Sequence, residues 1–295
     1  MFHKFSADLY AFITSLTKLY SIAQLIGFVT MFTVVAVLSA RQGHDWKRFF
    51  HRPFLTDLAY GAWFPVYTVL IGIPISLTLA GFASNYVPFL HLNLLRGVPW
   101  WLNIPIWLIV SDFVLYWLHR SLHQVRWLWV FHKIHHSQTE LNPLTTWRSH
   151  WLEFVYLSSG AFVTGLLLGG ISPLHPVVIG LFAASQFAQH SDLDWSYGPL
   201  GRVIISPRFH ARHHSIANED LNVNFGFLLP IWDDLFGTAR RTPGRAPAYG
   251  LTESENNVPQ SFFLQLFYPL SLLLVRFRSR ITARGVDPKS LGVDS

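Results

Sequence analysis

Long runs of apolar residues without charge restrict this chain more than any other feature. Ser21 to Ala40 contains no charged residue, and about 20 such residues match the hydrocarbon thickness of a bilayer. Backbone polar groups inside hydrocarbon must be satisfied within the segment, so a run of this kind folds as a helix. Composition agrees: 51% of residues are hydrophobic and only 13% charged, a balance that fits a membrane protein better than a soluble domain.

Four further apolar segments follow. Leu58 to Phe82 carries Pro65 and Pro74, which a kinked membrane helix tolerates. Val98 to Leu118 opens on Pro99, Trp100 and Trp101 and runs into His119 and Arg120. Trp151 to Gln189 exceeds one span, and the Gly169-Gly170-Ile171-Ser172-Pro173 break near its middle makes it a hairpin of two. Phe262 to Leu274 is too short to cross and reads as an interfacial helix, followed by Arg276, Arg278, Arg280 and Arg284 near anionic lipid. The expected fold is an all-α integral membrane protein with about four to five transmembrane helices and a cytoplasmic helical metal-binding cap.

Orientation follows from charge. Arg41, Lys47, Arg48 and Arg52 follow the first run, which makes that flank cytoplasmic and the amino terminus external. Residues Met1 to Tyr20 lack the basic start, apolar core and cleavage site of a secretory signal, so the first span is expected to be retained. Counting spans then brings residues 120–150 and 190–259 to the cytoplasmic side. The chain divides into a membrane and loop region over 1–97, a histidine-bearing region over 98–240, and an interfacial helix with a basic tail over 241–295, disordered from Gly285.

Nine of the fifteen histidines fall in four groups on that side: His119 and His123; His132, His135 and His136; His190; and His210, His213 and His214. Residues i, i+3 and i+4 share a helix face, so each group projects its imidazoles together. Neutral imidazole is the commonest ligand for intermediate transition metals. A single ion such as zinc takes about four ligands, so nine favour two ions. His3, His44, His51, His91 and His175 have no partner at ligand spacing.

Neighbouring residues extend the candidate site. Asp112 lies within the third span on one helix face with Tyr116, His119 and His123. Its carboxylate either orients a ligand imidazole or bonds only to neighbouring helices. His150, with Glu153 three residues later, reads as support rather than as a direct ligand. Asn224 and Asp233 sit in turn-like stretches and either hydrogen-bond ligand histidines or serve the turns alone.

Other function classes are excluded or weakened. The chain has no cysteine, which removes disulfides, thiolate ligands, iron–sulfur clusters and thiol catalysis. Its net charge of +6 clusters beside apolar runs rather than in a nucleic-acid-binding stripe. HExxH, Walker, GxGxxG and GxSxG motifs are absent. A membrane metal-binding or transport protein without oxygenase activity is the competing class, but transport sites usually lie near the midplane, where only Asp112 is placed. A zinc hydrolase would want a Glu within one of the two His-x-x-His-His groups, and neither has one.

The motifs resemble those of the membrane-bound di-iron fatty acid hydroxylase and sterol desaturase superfamily. They are DFVLYWLHRSLH from Asp112, HKIHHS from His132, the Arg148 to Glu153 region, Gln189-His190-Ser191, SPRFHARHHS from Ser206, Asn224-Phe225-Gly226, and WDDLFGT from Trp232. The likeness covers roughly Trp100 to Arg240. It implies that the nine histidines bind two irons, with dioxygen as co-substrate, to hydroxylate or desaturate a membrane lipid such as a fatty acyl or sterol chain. Some fatty acid hydroxylases carry a paired histidine four residues after the position of His190. Here Asp194 stands there, either as a carboxylate ligand or as no ligand. No fused cytochrome b5-like domain is recognisable, so the resemblance implies a separate electron donor of cytochrome b5 or ferredoxin/reductase type. Oligomeric state has no signature in the sequence.

Overall fold

The second apolar run begins earlier than its composition suggests. Helix α1 (Arg52–Tyr67) passes through a five-residue π turn, Thr68–Gly72, into α2 (Ile73–Tyr86). Pro65 stands inside α1 and Pro74 in the first turn of α2. Each removes an N–H from the i→i−4 ladder, and the backbone takes the wider turn instead. The computed structural model describes residues 29, 30, 32–38, 40, 41, 52–169 and 175–283. Most of the Ser21–Ala40 span, its flank at Lys47 and Arg48, the break at 170–173, Arg284 and the tail from Gly285 lie outside the described residues, as do the side chains of Arg276, Arg278 and Arg280.

Helix α3 (Trp100–Gln124) is one continuous 25-residue element. At Val125 the backbone is extended, with φ −96° and ψ 110°, and the chain turns directly into α4 (Arg126–His136). Helix α5 (Trp151–Leu168) returns along α3. Gly160 permits that approach: a Cβ there would lie 3.1 Å from Leu118 Cδ1 and 3.4 Å from Leu115 and Val114. The last carbonyls of α5, on Leu166, Leu167 and Leu168, accept from the N–H groups of Leu92, Leu94 and Leu95 at 3.0, 3.2 and 3.1 Å. That loop satisfies acceptors which a helix end leaves open.

Helix α6 (His175–Gln189) is followed by α7 (Pro207–His213), α8 (Ile231–Leu235) and α9 (Phe262–Ala283). Ser206 caps α7, its hydroxyl accepting from Phe209 N at 3.3 Å, with Pro207 preset for the first turn. Helix α9 continues past Leu274 to Ala283, further than the short interfacial stretch expected. Its start packs Phe262 edge-on against Tyr60 of α1 at 4.9 Å, beside Ile134 and Val258.

Among the described residues no strand forms, and one isolated bridge joins Ser215 and Tyr249. Three segments there are long and apolar enough to cross a membrane: Pro53–Gly72, Trp100–Gln124 and Trp151–Leu168. Val178–Gln189 and Phe262–Leu274 are shorter apolar helical segments. The protein is an all-α membrane protein in which α3 and α6 end, and α5 begins, beside the short helices α4 and α7.

Candidate metal centre

That convergence assembles all nine histidines, but as two groups. His119 and His123 from α3, His132 and His136 from α4, and His213 from α7 form one group. His135 from α4, His190 after α6, and His210 and His214 around α7 form the other. Within each group one ring nitrogen per residue lies within 4.8 Å of all the others. Successive helical residues are about 100° apart around the axis. The i and i+4 members of each triplet therefore stay together, as do His132 with His136 and His210 with His214, while His135 and His213 cross to the opposite group.

Hydrogen bonding sets which nitrogen is available. His119, His135, His190 and His213 donate from Nδ1 to the carbonyls of Phe225, Arg148, Gln186 and Val223, at 2.8, 3.2, 2.8 and 2.8 Å. A carbonyl only accepts, so these Nδ1 atoms hold the proton and each Nε2 carries a lone pair. Yet His135 Nε2 faces His190 Nε2 at 3.1 Å. In the other group His119 Nε2 faces His132 Nε2 at 3.1 Å, and His132 Nδ1 is bonded to Glu153 Oε1 at 2.8 Å. Two lone pairs at that distance repel, and a cation between them removes the conflict. His190 Nε2 also lies 3.1 Å from His210 Nε2 and 3.2 Å from His214 Nε2. The buried His123 Nε2 has no hydrogen-bond partner.

Electrostatics reinforce this. Burial first, and the neighbouring imidazoles second, hold His132, His135, His136, His210 and His214 well below the ordinary histidine value of 6.5. Burial lowers His213 likewise. It lowers His190 to about 4, against the opposing effect of its bond to Gln186. The rings are neutral at pH 7, the form that binds metal. All-nitrogen sites of four and five imidazoles suit intermediate transition metals and not the oxygen-seeking calcium or magnesium.

The supporting residues differ from those expected. Asp112 touches no imidazole: its two oxygens accept from Leu228 N at 2.8 Å, Leu229 N at 3.0 Å and Trp232 Nε1 at 3.0 Å. It pins the loop after Phe225 to α3. Asp233 acts one step closer, accepting from Phe225 N at 2.8 Å and Gly226 N at 2.9 Å while Thr238 donates to it at 2.7 Å. That loop presents the carbonyl that fixes His119. Gly226 has no alternative there, because a Cβ would sit 2.6 Å from Ile205 Cδ1 and 2.8 Å from Leu229 O. Asn224, in the left-handed region at φ 57°, binds Phe209 O at 2.7 Å and Arg240 O at 3.0 Å, and reaches no histidine.

Two further residues named from the sequence stand outside both groups. Asp194 belongs to neither group; its carboxylate is taken by Arg208 Nε at 2.6 Å. His150 has both nitrogens occupied, Nδ1 accepting from Leu152 N at 3.2 Å to cap α5 and Nε2 donating to Leu266 O at 3.0 Å. Glu153 serves His132 rather than His150. Asp57 went unnoticed in the sequence. It pairs with Arg148 at 2.9 Å, both side chains fully buried, and also accepts from Asn142 at 2.8 Å and from Gln138. The pair thereby anchors Arg148, whose carbonyl fixes His135. A carboxylate early in each of two apolar helices was the available signal for both.

The sequence profile of the fatty acid hydroxylase family matches residues 104–238. Ornithine lipid hydroxylase OlsE of Rhizobium tropici is 33% identical over 197 residues, covering 65% of this chain and 56% of that protein. Alkylglycerol monooxygenase of Homo sapiens is 32% identical over 174 residues, 59% of this chain and 37% of that protein. The Caenorhabditis elegans alkylglycerol monooxygenase is 31% identical over 158 residues, 52% of this chain and 30% of that protein. The matched segments thus cover 30% to 56% of these relatives' own length. No solved structure matches.

Proposed function

From the match of residues 104–238 to the fatty acid hydroxylase profile, we propose that this chain belongs to that family and is a membrane lipid hydroxylase with two histidine-bound irons. It uses dioxygen and electrons from a separate donor, of cytochrome b5 or ferredoxin type, to place one oxygen on an alkyl or acyl chain. The observation that carries this reading is the facing of unprotonated Nε2 atoms in both histidine groups, His119 with His132 and His135 with His190. When bound, the irons supply one-electron redox chemistry and activation of dioxygen, which acid–base groups cannot supply toward an unactivated C–H bond.

The chain's own residues orient and shelter that centre. Phe225 O, Arg148 O, Gln186 O, Val223 O and the Glu153 carboxylate hold five imidazoles by Nδ1, so each Nε2 points inward without rotation. Phe227 packs edge-on to His119 at 5.3 Å and Trp129 lies 5.1 Å from His123, which keeps bulk water off the nitrogens. The nine ligands gather where α3 and α6 end and α5 begins, at one membrane face. The positive flanks make that face cytoplasmic, where a soluble reductant reaches it while a lipid chain enters from the bilayer.

The relatives' names describe amphiphiles, an ornithine lipid and an alkylglycerol, and a polar-headed lipid is the substrate class proposed here. Lipids from cells expressing the protein, together with its electron donor, are compared by mass spectrometry with lipids from cells lacking it. A lipid heavier by one oxygen derived from dioxygen is the expected result. An unchanged lipid profile with reductant present would overturn the proposal.

A further inference from the structure

A second site lies on the other side of α7 from the histidines. Ser196, Gly198, Ser206, Phe209 and Thr242 help to line a cleft of about 220 Å³. Five guanidinium groups also line it: Arg202, Arg208, Arg212, Arg240 and Arg241. Three carboxylates answer them. Asp194 binds Arg208 at 2.6 Å, Asp234 binds Arg241 with Nη2 to Oδ2 at 2.7 Å, and Asp220 lies 3.2 Å from Arg212 and 3.8 Å from Arg240. Arg202 has no ion-pair partner among the described residues and is exposed. The cleft keeps an excess of two positive charges.

One of these side chains is built in rather than splayed on the surface. Arg212 is only 5% exposed. Its Nη2 donates to the carbonyls of Pro243, Gly244 and Arg245 at 3.1, 3.0 and 2.8 Å, so the guanidinium is fixed. Its buried Nε has no partner. The fixed Arg212 fork, beside the exposed Arg202, Arg240 and Arg241 and the hydroxyl residues Ser196 and Thr242, suits a tetrahedral oxyanion carrying one or two charges.

The rim indicates where that anion comes from. Arg202 closes the 3₁₀ turn Gly198–Arg202. On and beside this turn Leu200, Val203 and Trp195 are 54%, 58% and 40% exposed. Exposed aliphatic and tryptophan side chains around a cationic mouth are suited to the headgroup layer of a bilayer, not to open water.

We propose that this cleft binds the phosphate of an anionic phospholipid. The bound lipid fastens the segment carrying His210, His213 and His214 against the membrane surface. This site is independent of the metal and of the reaction. The test uses the full chain in detergent micelles and counts bound lipid by native mass spectrometry, with dioleoyl phosphatidylglycerol as the probe. Dioleoylglycerol, which has the same chains without phosphate, and inorganic phosphate form the comparison arms.

Phosphatidylglycerol is expected to bind one per chain, and the double variant Arg202→Gln/Arg240→Gln to weaken it about 30-fold. Arg126→Gln removes one exposed charge from the start of α4 and is expected to leave binding within about twofold. Arg202→Gln alone breaks no ion pair and is expected to weaken binding about fivefold should the double variant fail to fold. Equal binding of dioleoylglycerol, unchanged binding by the arginine variants, or inorganic phosphate binding as tightly as the lipid would each overturn the proposal.

Discussion

Replacing Glu153 by Gln probes the hydrogen bonding that holds the histidines. In the native protein the Glu153 carboxylate accepts from His132 Nδ1 at 2.8 Å, with both side chains 2% exposed. A charge-assisted bond contributes about 1.5–3 kcal/mol and a neutral one about 0.5–1.5. Gln keeps an acceptor but removes the charge, a difference of about 1–1.5 kcal/mol or about 10-fold in metal affinity. Glu153 Oε2 has no partner, so the new amide adds a buried donor without an acceptor and extends the loss toward about 100-fold.

The effect belongs to one group only. His132 sits with His119, His123, His136 and His213, while His135, His190, His210 and His214 do not touch Glu153. Chelator competition followed by metal analysis should therefore show the variant releasing its first ion about 10- to 100-fold more readily than the native protein, and its second with little change. Parallel release of both ions at native affinity, in a variant with native helicity, would refute the argument that Glu153 orients His132.

Asp57→Asn leaves Arg148 buried without a counter-charge, and breaking such a pair costs about 3–5 kcal/mol; thermal unfolding in detergent should show the loss, and an unchanged midpoint would contradict it. Metal-free protein should lose stability on acidification. In the folded chain His132, His135, His136, His190, His210, His213 and His214 titrate below 6.5, His190 at about 4, so from about pH 6.5 downward the unfolded chain binds protons that the folded one refuses. Each such histidine contributes up to about 1.4 kcal/mol per pH unit, lost as pH falls. Unfolding of chelated protein at pH 7.5, 6.0 and 5.0 measures this, and a flat profile would contradict neutral, buried imidazoles.

What the sequence reveals here is what is local. Runs such as Val98 to Leu118 read directly as helix, and the spacing of His132, His135 and His136 puts all three near one another. The same spacing does not say which ion each serves. His135 and His136 are consecutive and about 100° apart around α4, and the groups they join are completed by residues distant in sequence, His190, His210 and His214 for one and His119, His123 and His213 for the other. The acceptors behind the imidazoles are backbone carbonyls of Phe225, Arg148, Gln186 and Val223, which have no residue-type signature. Asp112 shares a face with His119 yet bonds to residues 116 and more positions later in the chain, a partnership that helical periodicity cannot show. Asp194 occupies a suggestive position in the sequence, but Arg208 on the first turn of α7 reaches it first.

The central claim is that nine imidazoles form two adjacent metal sites and that the metal is iron. Metal analysis of protein purified from iron-replete cells, combined with Mössbauer spectroscopy on iron-57-labelled material, tests it most directly. Two irons per chain are expected, with His135→Ala and His119→Ala each lowering the count. About one zinc and no iron, or full iron occupancy in both variants, would contradict it.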